Sequence, residues 1–235
     1  MLHPPNPTGI SAAFEDVDAV LLDAMGTLVR LRAPVPLLVE ALAAAGYPNS
    51  PERVTAALQD EIAFYRAHHL RGRTPALAEV LRDDCARVLA GCLDKAPPRA
   101  LLVELMVGAL QLEVFPDVVP FLSYLRNRGV RTAVVSDWDC TLVEHLSRLG
   151  IRAWVDDVVV SADVGVTKPD PRIFDRALRV LDVAAGHAVH CGDDPRRDVL
   201  GAAASGIRPV LVDREHRYPE APGRVSSLDE LIGAI

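Results

Sequence analysis

Lysine is almost missing from this chain. Of 25 basic side chains only Lys95 and Lys168 are lysines, and arginine supplies the rest. A basic excess is missing too. The formal net charge is -7, which argues against nucleic acid as a primary partner, because such binding calls for a basic footprint. The same acidity weakens any case for an anionic membrane surface. The four cysteines, Cys85, Cys92, Cys140 and Cys191, contain no C-x-x-C, so neither a zinc knuckle nor a thioredoxin-type site is indicated. Cys85 and Cys92 lie about 10 Å apart along an expected helix, too far for a disulfide, and read as buried or half-buried thiols. The longest apolar run, Ala100 to Phe115, holds Glu104 and Glu113 and is too short to span a bilayer. Met1 to Ser11 has three prolines, no Lys or Arg, and none of the regions of a signal peptide. Residues 1–15 therefore read as a flexible tail, and cytoplasm is the expected compartment.

Half of the 235 residues are hydrophobic and 24% are charged, as in an ordinary soluble domain large enough for a sizeable core. The stretch Asp18-Ala19-Val20-Leu21-Leu22-Asp23-Ala24-Met25-Gly26-Thr27-Leu28 organises the chain. Its short, contiguous apolar run reads as a buried parallel strand, although periodicity alone does not separate this from a buried helix segment. Such a strand delivers Asp23 to its carboxyl end, where ligands sit in open α/β sheets, and Gly26 allows a tight turn.

After Arg30 and Arg32, Ala33-Pro34-Val35-Pro36 reads as a stiff linker. Residues from about 37 to 112 then carry helical spacing with no strand signal. Gly46 ends the first helix, and Ser50-Pro51 offers an N-cap with Pro at the first helical position. Further helices are expected at 77–93 and 99–112. From Pro116 strands and helices alternate. Strands are expected at 131–136, 158–161, 188–192 and 209–212, with helices at 118–128, 141–149, 171–181 and 196–205 and a short closing helix over 227–235. This alternation predicts a parallel sheet covered on both faces.

Four groups fall at strand ends. Asp23 is the first and Ser136 the second; a hydroxyl there holds a phosphoryl oxygen, or simply caps a helix. Lys168 stands in Gly165-Val166-Thr167-Lys168-Pro169-Asp170-Pro171-Arg172-Ile173-Phe174, where its point charge would neutralise Asp23 and a transferring group. A lone Lys is more often solvated surface, but in so lysine-poor a chain this placement is less easily accidental. Gly192-Asp193-Asp194-Pro195-Arg196-Arg197-Asp198 is the fourth. Its carboxylates suit Mg²⁺, or cap the following helix.

Together, Asp-x-x-Gly-Thr-Leu, Ser136, K-P-D-P-x-I-F and Gly-Asp-x-x-x-x-Asp resemble the four motifs of the haloacid dehalogenase (HAD) superfamily. The resemblance covers about residues 16–212. It implies a Rossmann-like core at 16–32 and 116–235 with an all-helical cap at 33–115. It also implies that Asp23 is a covalent nucleophile, that Ser136 and Lys168 support catalysis, and that Mg²⁺ is held by Asp23, Asp193, Asp198 and the Met25 backbone carbonyl. The substrate would be a small, anionic molecule. Ser136, Asp137, Lys168, Arg66 and His69 are the candidates to bind it, the last pair from the basic segment Arg66 to Arg73, which reads somewhat more readily as a solvated helix end.

Three positions depart from the pattern. Met25 stands where phosphatases of the superfamily carry a second Asp as general acid and base. Asp137 stands where Asn is usual, and Asp194 where Ser is common. Three readings follow: a Mg²⁺-dependent phosphohydrolase, weak or atypical because of Met25; a hydrolase of another bond, dehalogenase-like, since halide leaves without a proton; or a non-catalytic binding module. A Schiff-base hydrolase would need a lysine in the cap, and Lys95, in its Pro-flanked connection, is the one candidate.

Overall fold

Ala19–Leu22 forms β1, and all four of its residues are fully buried. A strand buried on both faces belongs in the middle of a sheet, and that is its position. The structure, a computed structural model, describes residue 14 and residues 16–235. The expected tail, residues 1–15, lies outside the described residues apart from Phe14.

The chain divides into two compact units, one comprising residues up to 30, 114–136 and 142–235, the other 31–113 and 137–141. In the first, β1 pairs in parallel with β4 (Arg131–Ser136) on one side and β6 (Ala188–Gly192) on the other. Beyond β4 lies β5 (Asp157–Val160); beyond β6 lie β7 (Arg208–Val212) and β8 (Arg224–Val225). All of these pairings are parallel. The register sets Leu22 opposite Val134 and Cys191, so β1, β4 and β6 bring their carboxyl ends to one edge.

Alternation along each strand decides what covers it. Ala19, Leu21, Ala133 and Val135 pack against Ile173, Phe174, Ala177 and Leu181 of α8 (Pro171–Leu181). The first unit also holds α5 (Val118–Asn127), which packs on β4, α6 (Leu142–Arg148), α7 (Ser161–Val164) and α9 (Gly201–Ala204).

In the second unit, α1 (Pro34–Ala44), α2 (Pro51–His68), α3 (Pro75–Cys92) and α4 (Arg99–Ala109) bury Leu38, Leu42, Leu58, Leu81, Leu89, Leu102 and Met106 together. Ser50 accepts from the Arg53 amide at 3.2 Å and Thr74 from the Leu77 amide at 3.4 Å. Each precedes a Pro at the first helical position, where a missing N–H costs nothing.

Several expectations about local structure need correction. Pro34-Val35-Pro36 is the first turn of α1, not a linker; the first amides of a helix have no intrahelical partner, so both prolines fit. Two short strands, β2 (Val29–Leu31) and β3 (Leu112–Val114), pair as a separate ribbon, so a strand precedes α1 and α4 stops at Ala109 rather than at 112. The helix expected over 196–205 is a π-helix (Pro195–Leu200) running into α9. The closing helix is a single 3₁₀ turn, Leu228–Leu231, with a Ser227/Glu230 capping box.

One buried carboxylate ties the C-terminal segment to the start of α5 within the first unit. Asp117 is 4% exposed and its Oδ2 accepts from Arg214 (2.9 Å), the Ser227 hydroxyl (2.8 Å) and the Leu228 amide (2.7 Å). Burial works to raise its carboxyl, but Arg214, the amide and the hydroxyl hold it below the ordinary value. A depressed carboxyl stabilises the fold above the unfolded pKa and loses that contribution as pH falls through the folded one. Asp117→Ala is therefore expected to cost about 3 kcal/mol at pH 7. Urea unfolding should show the gap to wild type narrowing on acidification below about pH 4; a gap independent of pH would refute the charged role.

Candidate active site

Asp23 follows β1 directly, and its amide bonds to the Cys191 carbonyl at 2.9 Å, continuing the pairing one residue past the strand. The side chain is buried at the sheet edge. Ser136, the last residue of β4, donates its hydroxyl to Asp23 Oδ1 at 3.2 Å. Lys168 reaches the same oxygen with Nζ at 2.6 Å and Asp198 Oδ1 at 2.5 Å. Lys168 and Asp198 are almost wholly buried, at 4% and 1% exposure. Two such charges are tolerable in a core only because they satisfy each other and their neighbours. The Lys168–Pro169 peptide is cis.

Asp198 has further partners. His190, fully buried on β6, bonds through Nε2 to Asp198 Oδ1 at 2.9 Å, and the Asp194 amide donates to Oδ2 at 3.0 Å. Burial works against the ionised form of Asp198, but the Lys168 ammonium and the His190 hydrogen bond outweigh it and hold the carboxyl well below the usual range. The His190 imidazole is held below its ordinary value by burial, against the pull of Asp198.

Asp193 completes the group. One oxygen each from Asp23, Asp193 and Asp198 lies within 4.8 Å of the others. Glycines make the room: a Cβ on Gly26 would collide with the Asp193 carboxylate, and one on Gly192 with that of Asp198. Gly26 also has a φ of +83°, which L side chains rarely adopt. Asp194 points elsewhere, accepting from the Arg196 and Arg197 amides at 2.8 and 2.9 Å as the cap of the π-helix. That engagement answers the extra charge noted at this position.

Charge at this edge is unbalanced. Burial pushes the Asp23 carboxyl up to about 7; Lys168 pulls it down, while Asp198 and Asp193 push it further up. Burial and Asp198 likewise raise Asp193, with Arg217 opposing them. Three converging carboxylates form an oxygen-only, anionic donor set, which fits a hard divalent cation such as Mg²⁺.

Met25 is half-buried in the turn that follows Asp23. That turn is closed by Gly26 N–H to the Val29 carbonyl at 2.8 Å and Leu28 N–H to the Ala24 carbonyl at 2.8 Å. A thioether cannot exchange a proton at neutral pH, so its side chain brings no acid or base to Asp23.

The remaining substrate-binding candidates belong to the second unit. Asp137, although next to Ser136 in the chain, is grouped with it and is half-buried. Arg66 is exposed on α2. His69 is buried, with Nδ1 against the Arg66 carbonyl at 3.0 Å. Arg71 is paired with Asp84 at 2.7 Å. Neither Arg66 nor His69 joins the hydrogen bonds that link Asp23, Ser136, Lys168 and Asp198.

Two residues at the sheet edge escaped the sequence. His190 sits in an apolar strand, where a buried imidazole demands a partner, and that demand was a usable signal. Arg217 lies in an irregular segment without periodicity or motif, and its Nη2 reaches Asp193 Oδ2 at 3.0 Å.

The haloacid dehalogenase-like hydrolase family model matches residues 17–206. A glyceraldehyde 3-phosphate phosphatase from Methanopyrus kandleri is 30% identical over 208 residues, covering 87% of this chain and 84% of that protein. A phosphoserine phosphatase from Thermus thermophilus is 39% identical over 110 residues, covering 46% of this chain and 44% of its own. Among solved structures, a HAD phosphatase from Thermococcus onnurineus superposes with a TM-score of 0.59 at 25% identity, covering 92% of this chain and 96% of that one. The L-2-haloacid dehalogenase from Xanthobacter autotrophicus does so at 0.69 and 21% identity, over 92% and 97%, a likeness of fold. Among the described residues, no helix is long and apolar enough to cross a membrane.

Proposed function

We propose that this chain, which belongs to the haloacid dehalogenase-like hydrolases, is a Mg²⁺-dependent phosphohydrolase that acts through Asp23 on a small phosphoester and is slow where Met25 fails it. The observation that carries this reading is one carboxylate, Asp23, held by Ser136 and Lys168 within 4.8 Å of Asp193 and Asp198. Phosphatase activity in two similar proteins supports a phosphoester as the bond cleaved.

Asp23, Asp193 and Asp198, with the Met25 backbone carbonyl, would hold the ion, which when bound offsets the negative charge of a phosphoryl group. Asp23 attacks phosphorus with one carboxylate oxygen, the bond to the leaving oxygen breaks, and the phosphoryl group is left on Asp23. Lys168 and Ser136 stabilise charge on the transferring group. Water then has to attack that group, and Met25 cannot take the proton. Asp137, next along the chain from Ser136, is the first candidate to replace it.

Met25 also favours a second reading, a dehalogenase-like hydrolase, because halide leaves without protonation. The two separate cleanly. Phosphate release from an aryl phosphate with Mg²⁺, lost in EDTA and lost again in Asp193→Asn, is the expected result. Metal-independent halide release from a 2-haloacid would replace the first reading with the second. If neither substrate reacts, a non-catalytic binding role is left.

A further inference from the structure

Arg217, in the segment after β7, reaches back to the carboxylates at the sheet edge. It donates Nη2 to Asp193 Oδ2 at 3.0 Å, the oxygen that a Cβ on Gly26 would strike first. Its position is built rather than incidental. Asp213, fully buried at the end of β7, accepts from the Arg217 amide at 2.8 Å and the Tyr218 amide at 2.9 Å, closing a tight loop that aims the guanidinium back at the site. Arg214, on the same loop, donates Nη2 to the Thr27 carbonyl at 2.7 Å, in the turn that follows Asp23. Glu215 lies 3.6 Å from Arg217 Nε and shares the charge without displacing it.

We propose that Arg217 is a built-in rival of the divalent cation: it takes one oxygen of Asp193 and keeps the affinity for Mg²⁺ below what the three carboxylates alone would give. This rests on the Mg²⁺ reading above. The physical basis is simple. A guanidinium bonded to Asp193 sits within a few ångströms of any ion bound to the same carboxylate, and a unit charge beside a double charge repels it even through high dielectric. The Arg217 side chain is 47% exposed, so solvent and salt weaken the effect but do not abolish it.

Calorimetric titration of EDTA-treated protein with MgCl₂ tests this. R217Q should bind Mg²⁺ about 3- to 10-fold more tightly than wild type at low ionic strength, and R217K should return to within about twofold of wild type, because it restores the charge. Raising the ionic strength should shrink the difference between R217Q and wild type. Thermal melting gives a second readout. Without metal R217Q should melt below wild type, because the carboxylates lose a cation, and it should gain more from added Mg²⁺. If wild type binds and R217Q binds equally or more weakly, Arg217 is not a rival and this inference alone falls. If neither wild type nor R217Q binds Mg²⁺ at millimolar concentration, the metal reading falls and takes this one with it.

Discussion

Replacing Met25 with Asp is expected to raise steady-state turnover of an alkyl phosphate by about 10²–10⁴, the usual worth of a positioned acid–base group. Asp23 holds its hydrogen bonds to Ser136 and Lys168 independently of residue 25. Transfer to Asp23 should therefore proceed in wild type whenever the leaving group needs little protonation. An aryl phosphate is such a substrate, and wild type should give a burst of phenol followed by slow release of phosphate, the signature of an intermediate that forms faster than it decays. Met25→Asp should turn the burst into linear release. The new carboxylate joins Asp23, Asp193 and Asp198 within one small region, and repulsion raises its proton affinity. That suits an acid, although it also takes back part of the gain at the hydrolytic step. Rapid, burst-free turnover of alkyl phosphates by wild type would show that another residue is the acid, and Asp137 would be the next to replace.

Asp23→Asn is expected to remove both burst and turnover, a loss on the order of 10⁴ or more where a covalent nucleophile is deleted. The amide preserves size and can still accept from Ser136 and Lys168. Lys168 also keeps Asp198 at 2.5 Å, so the fold should survive. Stability offers a control with the opposite sign. A carboxyl raised in the folded state to about 7 by burial destabilises the fold where it is ionised. The penalty grows from the unfolded pKa upward and is complete above about 7. The Asp23→Asn variant should accordingly melt no lower than wild type at pH 8, the difference shrinking as pH falls toward 4. An inactive variant that also unfolds early at pH 8 would mean that Asp23 is structural.

How much could be read from the chain depended on length and on environment. β1, β4 and β6 were legible because each is built round a short apolar run with a polar residue at or just past its end, and a sheet buried on both faces asks for that composition. The order of Asp23, Ser136 and Asp193 along the chain therefore translated into positions at strand ends, whereas Lys168, expected at one too, lies past α7 in the loop that leads into α8. β2, β3 and β8 have two or three residues each, too few for any period to register. The start of α1 was hidden by prolines that usually signal linkers, and the π-helix looks like an α-helix to any pattern of spacing. His190 was readable in principle from its apolar company. Arg217 was not, because only the closing of the Asp213 loop carries it back to Asp193. The segment from Arg66 to Arg73 looked uniformly basic, yet its members divide between exposed, buried and ion-paired surroundings that no composition reveals.

The burial of Lys168 has a practical side for protein chemistry. Of the two lysine amines, one is sealed in the core between carboxylates and the other, Lys95, is exposed on the second unit. Acylating reagents, amine cross-linkers and activated surfaces meet only unprotonated, accessible amines. In the folded protein they should modify Lys95 and leave Lys168 untouched. A fluorophore or a solid support can therefore be attached through that side chain with the carboxylates at the sheet edge left chemically intact, and Lys168 becomes modifiable only once the fold has opened.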